Sequence, residues 1–178
     1  MFRTPSRTHL AAAFVVVAVL IVAFGASSAF AGSSRTDFRF SADQISGAPT
    51  GAVALAGSGV FDSTGTFAQG GGTFQCTQII GQGPLTGCQA GQGVRWHTAT
   101  ALASTAFRCS TDALKTATAD PGTAVFRGAF FRTGDGNTPS FTANTIVADH
   151  DIAPDVTGLQ NVWIQGVGCA SASVHTGG

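Results

Sequence analysis

The chain has 178 residues, only 10% of them charged, with no tyrosine, no glutamate and a formal net charge of zero. If residues 1–31 are a processed leader, the remainder has seven cations against nine aspartates, a net charge of −2. That balance gives no electrostatic reason for a nucleic acid or an anionic membrane surface as partner.

The first 31 residues read as an export signal. Arg3, Arg7 and His9 form a basic start, Ala11–Phe24 is an unbroken apolar run, and Ala29-Phe30-Ala31 places small residues where a signal peptidase reads. Fourteen apolar residues fall short of the ~20 that span a bilayer, which argues against a membrane anchor. Arg3 and Arg7 are not adjacent, and Cys76 lies far from the cleavage point. Neither a twin-arginine nor a lipoprotein signal is present. The expectation is residues 1–31 as signal peptide and 32–178 as a single secreted domain, with no stable membrane insertion after cleavage.

In that domain Gly, Thr, Ser, Ala and Val dominate, and strong helix formers are scarce. The balance favours strands and turns. Ten phenylalanines and two tryptophans can build a core. Phe38 and Phe40 alternate around Arg39 as a first strand in Ser33–Phe40, and Ser41–Thr50 reads as a polar linker. Ala52–Ala56 leads into a hairpin, with Gly59-Val60-Phe61 and Thr66-Phe67-Ala68 flanking Asp62-Ser63-Thr64-Gly65. There Asp caps its own backbone and Gly supplies a positive φ. Gly70-Gly71-Gly72 follows. Phe67 and Phe74 lie seven apart, so one bulged residue in the glycine run would bring both to one face, and a bulge is predicted. An anion-cradling nest is the rival reading, but neither a helix start nor a cation adjoins it.

Thr73–Ile80 extends the sheet, Gly81–Gly87 and Gly91–Gly93 break it, and Val94–Leu102 is the next strand. Ala103–Cys109 continues or pairs with it. A short helix is predicted in Thr111–Thr118, ended by Asp120-Pro121-Gly122. Thr123–Arg132 and Phe141–Ala148 are strong strands joined by a Gly-rich hairpin loop. Asn161–Gly166 and Cys169–His175 close the sheet. Many short strands with a turn every ten residues or so predict an all-β fold. The expected form is an antiparallel β-barrel of about eight strands, with a β-sandwich as the alternative.

Cys76, Cys88, Cys109 and Cys169 form an even set in an exported chain, which reads as two disulfides. Three pairings are possible. Cys76–Cys88 is favoured because the segment between them returns on itself, which leaves Cys109–Cys169. No C-x-x-C pair supports a zinc site.

The run GSGVFDSTGTFAQGGGTF from Gly57, followed by GVRWHTATAL from Gly93, resembles a pattern in secreted actinobacterial β-rich proteins. More loosely it is similar to the dirigent and allene oxide cyclase-like barrels, eight-stranded calycin-type folds. The match covers Gly57–Leu102, under a third of the chain, and consists of strand and turn grammar. It implies a closed barrel and carries over no catalytic residue.

Two constellations stand out as candidate sites. Arg95, Trp96 and His97 lie on one strand, with Arg95 and His97 sharing a face that in a barrel can line a ligand pocket. Asp149, Asp151 and Asp155, with His150, are candidate ligands for a hard cation, although the EF-hand spacing is missing and turn capping is the plainer role. Phe126, Phe130 and Phe131 with Arg127 and Arg132 offer an aromatic-basic surface, or two-sided burial. No nucleophile elbow, metalloprotease, P-loop or dinucleotide motif is present. The leading expectation is a secreted, non-catalytic, cofactor-free barrel that holds a small apolar molecule or meets an extracellular partner protein. The alternatives are a cyclase or isomerase on the same barrel and an extracellular structural or adhesive protein.

Overall fold

A computed structural model of the chain describes residues 35–47, 50–110 and 112–177. The predicted signal peptide, 1–31, lies outside the described residues. Eleven strands are found among them: β1 (Arg35–Gly47), β2 (Ala52–Asp62), β3 (Ala68–Gln78), β4 (Arg95–Ala101), β5 (Ser104–Phe107), β6 (Lys115–Thr118), β7 (Thr123–Phe131), β8 (Phe141–Ala148), β9 (Val162–Ile164), β10 (Gly168–Ala170) and β11 (Ser173–Gly177).

Eight of them close a ring in the order β1-β2-β3-β4-β7-β8-β9-β10, every pairing antiparallel. The closing contacts are Ser46 with Cys169 and Gly47 with Gly168. β11 then follows the same side of β1 toward its start, pairing Ser41 with Ser173 and Asp37 with Gly177. An even number of antiparallel strands closes without a parallel mismatch, so few backbone groups are left at open edges.

Side chains alternate across this ring. Phe38, Phe40, Leu55, Phe61, Phe74, Trp96, Phe126 and Phe130 are buried inside it. Trp96 stacks on Phe126 with ring centroids 5.4 Å apart, and Phe74 meets Phe130 edge-on at 5.0 Å. These rings fill the centre because β2 and β3 present glycine there. A Cβ on Gly59 would stand 2.8 Å from Phe38 Cε1, and one on Gly57 would stand 2.6 Å from Trp96 Cζ2. Phe38 and Trp96 therefore occupy the space that these glycines leave between Leu55, Phe61 and Phe74 of the same strands, the large-small alternation that fills small barrels.

The glycine run is not bulged. β2 and β3 stay in register from Val53 opposite Cys76 to Phe61 opposite Ala68, and the irregularity falls at Ala52 instead. Phe74 points inward and Phe67 outward, where the Arg35 guanidinium lies 4.2 Å from its ring centre. The expectation of one shared face fails because the outer position of Phe67 already has a cover. Phe74 needs no help from it.

Two further expectations are corrected. The polar stretch after Phe40 is not a linker. β1 continues to Gly47, and an irregularity between Ala42 and Ile45 lets the exposed Asp43 and Gln44 bulge out while Ile45 is fully buried. Nor is there a helix among the described residues, 112–118, before the Asp120-Pro121-Gly122 turn. Lys115–Thr118 is β6, paired with β5. Its β-branched threonines alternate with Ala117, and the alternation serves a second core. That core lies outside the ring, where Phe107, Ala117 and Ala119 cover Val125, Ile146 and Trp163.

Candidate functional site

The β4 candidates separate by the pleat. Trp96 faces the interior, 2% exposed, and its Nε1–H donates to Ala56 O at 3.0 Å. Arg95 and His97 face outward. There they cover Phe131, which points out of the ring yet is fully buried. The Arg95 guanidinium carbon sits 4.2 Å from the Phe131 ring centre, and the His97 ring centre 4.9 Å from it. Arg95 also donates to Gly136 O in the β7–β8 loop. The pair thus shields an outer aromatic and lines no interior pocket.

The aspartates after β8 are drawn to separate partners. Asp149 accepts from the Thr176 hydroxyl at 2.6 Å and lies 3.0 Å from His150 Nδ1. The Thr176 hydrogen bond, then that of His150, holds its carboxyl below the usual carboxylate range. Asp151 accepts from the N–H groups of Ala153 and Gln160, which closes the loop. Asp155 pairs with Lys115 at 2.9 Å. Among the described residues no group of three or more His, Cys, Asp or Glu side chains is placed to hold a metal ion. The physical reason is that the three carboxylates are engaged separately: Asp151 by backbone N–H groups of its own loop, Asp149 by Thr176 and His150, and Asp155 by the Lys115 ammonium.

The two clusters are also far apart. His97 is in register with Ala129, and Ala129 with Thr142, so Asp149 stands seven residues further along β8. That separation is roughly 20 Å at the rise of a strand. Phe126 and Phe130 are interior and Phe131 is under Arg95, so the aromatic-basic surface of β7 resolves into burial on two faces.

The disulfides are Cys76–Cys88 and Cys109–Cys169. The first pins the excursion after β3 to the ring core. The second ties the strand end after β5 to β10, beside the Trp163 indole, whose N–H donates to Arg108 O at 3.0 Å.

Two concavities lie on the outer face of β11, β1, β2 and β3. One concavity of about 540 Å³ is lined by Asp37, Arg39, Ser58, Val60 and His175. A second, of about 380 Å³, is lined by Ser41, Asp43, Ala54, Thr73 and Gln75. The first was missed in the sequence because its parts come from three segments. The available signal was the inward alternation of Phe38 and Phe40, which sends Arg39 outward.

The molecule is thus a disulfide-bridged, closed antiparallel β-ring with an aromatic interior and open outer grooves. Comparison with protein-family models, curated proteins and solved structures finds no match to this chain.

Proposed function

We propose that the protein is an exported, non-catalytic binding module that meets an extracellular partner through the outer face of β11, β1, β2 and β3. The observation that carries this reading is the aromatic interior. Phe38, Phe40, Trp96, Phe126 and Phe130 occupy the space in which an apolar ligand would sit. Recognition is thereby referred to the outside. Two disulfides suit an oxidising extracellular setting. The apolar leader of the sequence agrees with export. Arg95 and His97 serve packing and stand far from Asp149, so the groups a cyclase or isomerase would use do not converge.

The test is a binding panel of extracellular polysaccharides, matrix proteins and apolar metabolites, run on the purified protein and on Ser58→Trp and Thr73→Trp. Both changes fill an outer groove and leave the interior untouched. The reading expects a bound ligand lost in one or both variants, with no turnover. Retention of an apolar metabolite unaffected by either variant would overturn it.

A further inference from the structure

We propose that Arg39, His175 and Ser58 form a subsite for the carboxylate of an acidic polysaccharide, a polymer of uronic acid. This rests on the outer-face reading above and names its ligand class.

The three side chains come together by register. Arg39 on β1 is paired with His175 on β11 and with Ser58 on β2. All three are exposed on the outer face. Neighbouring strands lie about 4.8 Å apart, so the row places a guanidinium between an imidazole and a hydroxyl within roughly 10 Å. It lies in the 540 Å³ concavity.

Arg39 differs from the other arginines of this sheet. Arg35 lies over Phe67, Arg95 over Phe131 and Arg132 over Phe141, and Arg127 reaches Asn144. Among the described residues Arg39 makes no side-chain hydrogen bond, ion pair or aromatic contact. Its planar fork is therefore open to a carboxylate, which it matches with two parallel N–H···O bonds. Ser58 adds a hydroxyl donor, and His175, whose Nε2 lies 3.4 Å from Ser173 Oγ, adds its Nδ1.

The surroundings select among anions. Asp37 stands two residues along the same face, about 7 Å from Arg39 in backbone spacing, and shares the concavity. A carboxylate accepts hydrogen bonds only, so it suits a hydroxyl and repels a second anion. Val60, half-buried and opposite Asp37, offers an apolar ledge. One guanidinium flanked by hydrogen-bonding side chains, a carboxylate acceptor and an apolar ledge match a sugar ring with one carboxylate, free hydroxyls and a C–H face. Polyglutamate carries carboxylates but no hydroxyl for Asp37 and no sugar-ring C–H face for Val60. The row continues from Ser58 through Gly71 to exposed His97. Gly71 carries no side chain, so a flat polymer can run across β3 from the subsite.

The test is calorimetric titration with polygalacturonate, with neutral dextran and polyglutamate as comparison polymers, in low and high salt. Polygalacturonate is expected to bind in low salt, about tenfold or more weakly to Arg39→Ala, with partial recovery in Arg39→Lys and an unchanged melting curve in each variant. Dextran is expected not to bind, and polyglutamate to bind more weakly. Equal binding by wild type and Arg39→Ala, or polyglutamate bound as tightly as polygalacturonate, overturns the proposal. If polygalacturonate does not bind while Ser58→Trp or Thr73→Trp blocks another ligand of the panel, the uronate assignment falls and the outer-face reading stands. If neither variant blocks any ligand, both fall.

Discussion

The Trp96 indole donates its N–H to the carbonyl of Ala56, at 3.0 Å, the same carbonyl that a side chain on Gly72 would strike. A Cβ on Gly72 would stand 2.0 Å from Ala56 O and 2.5 Å from Gly57 Cα. Both obstacles are backbone, so relief requires β2 and β3 to part. Gly72→Ala is expected to cost about 3 kcal/mol, at the upper end of overpacking effects. Gly177→Ala meets nothing within 4 Å. It should stay within about 0.5 kcal/mol of wild type, as surface changes usually do. Urea unfolding of the two variants measures the difference. Equal midpoints would show that the glycine wall is not what admits the indole.

The β2–β3 turn carries an acid-labile lock. Asp62 is 2% exposed and accepts from the N–H and hydroxyl of both Thr64 and Thr66. Burial alone would raise its pKa, but these hydrogen bonds outweigh it and hold the carboxyl at about 2 against an ordinary 3.8. In that window the unfolded chain binds the proton and the folded chain does not. The contribution is therefore complete above pH 3.8 and is lost as pH falls through about 2. Asp112, Asp135 and Asp149 are shifted in the same direction and add to the acid slope. Asp62→Asn should flatten stability between pH 4 and pH 2 and lower it at neutral pH. A melting profile as steep as wild type in that range would count against the lock.

The two disulfides are expected to differ in weight. Cys109–Cys169 spans 60 residues and Cys76–Cys88 spans 12. By chain entropy the longer loop contributes about 4 kcal/mol and the shorter about 3. Cys109→Ala/Cys169→Ala should also release the β5–β6 hairpin from the outer core around Trp163. Indole fluorescence and denaturant midpoints of the two double variants report both effects. A larger loss on removing Cys76 and Cys88 would reverse the order.

Strand content was legible because alternation is written locally, as in Phe38-Arg39-Phe40, whose phenylalanines are buried and whose arginine is exposed, whereas ring closure rested on the number of strands and on the resemblance. The bulge in the glycine run was misread for the opposite reason. Whether Gly70 and Gly72 need bend depends on Phe38 and Trp96, which come from β1 and β4 and reach that wall only in the folded ring. The β6 strand was read as a helix because its partner face, the outer core over Trp163, is assembled from distant strands. The Arg39 groove was illegible on the same ground. Arg39, Ser58 and His175 become neighbours only through the pairings of β1.

Arg95 and His97 looked like ligand-binding residues in the sequence, and their contacts make a different prediction. Phe131 is an outward aromatic with no exposed surface, and Arg95 supplies part of its cover through a cation–π contact and the apolar stem of its side chain. Arg95→Ala is therefore expected to lower stability by about 1 kcal/mol, and Phe131→Ala by about 3–4 kcal/mol as a core deletion. The two losses should fall short of additive, since removing the ring removes the reason for the cover. A double-mutant cycle read by urea unfolding checks this. Strict additivity would mean that Arg95 and Phe131 do not support each other, and would return Arg95 to the pool of groups available for a ligand. Coupling of about 1 kcal/mol assigns it to the architecture and leaves Arg39 as the arginine on this sheet with an open guanidinium.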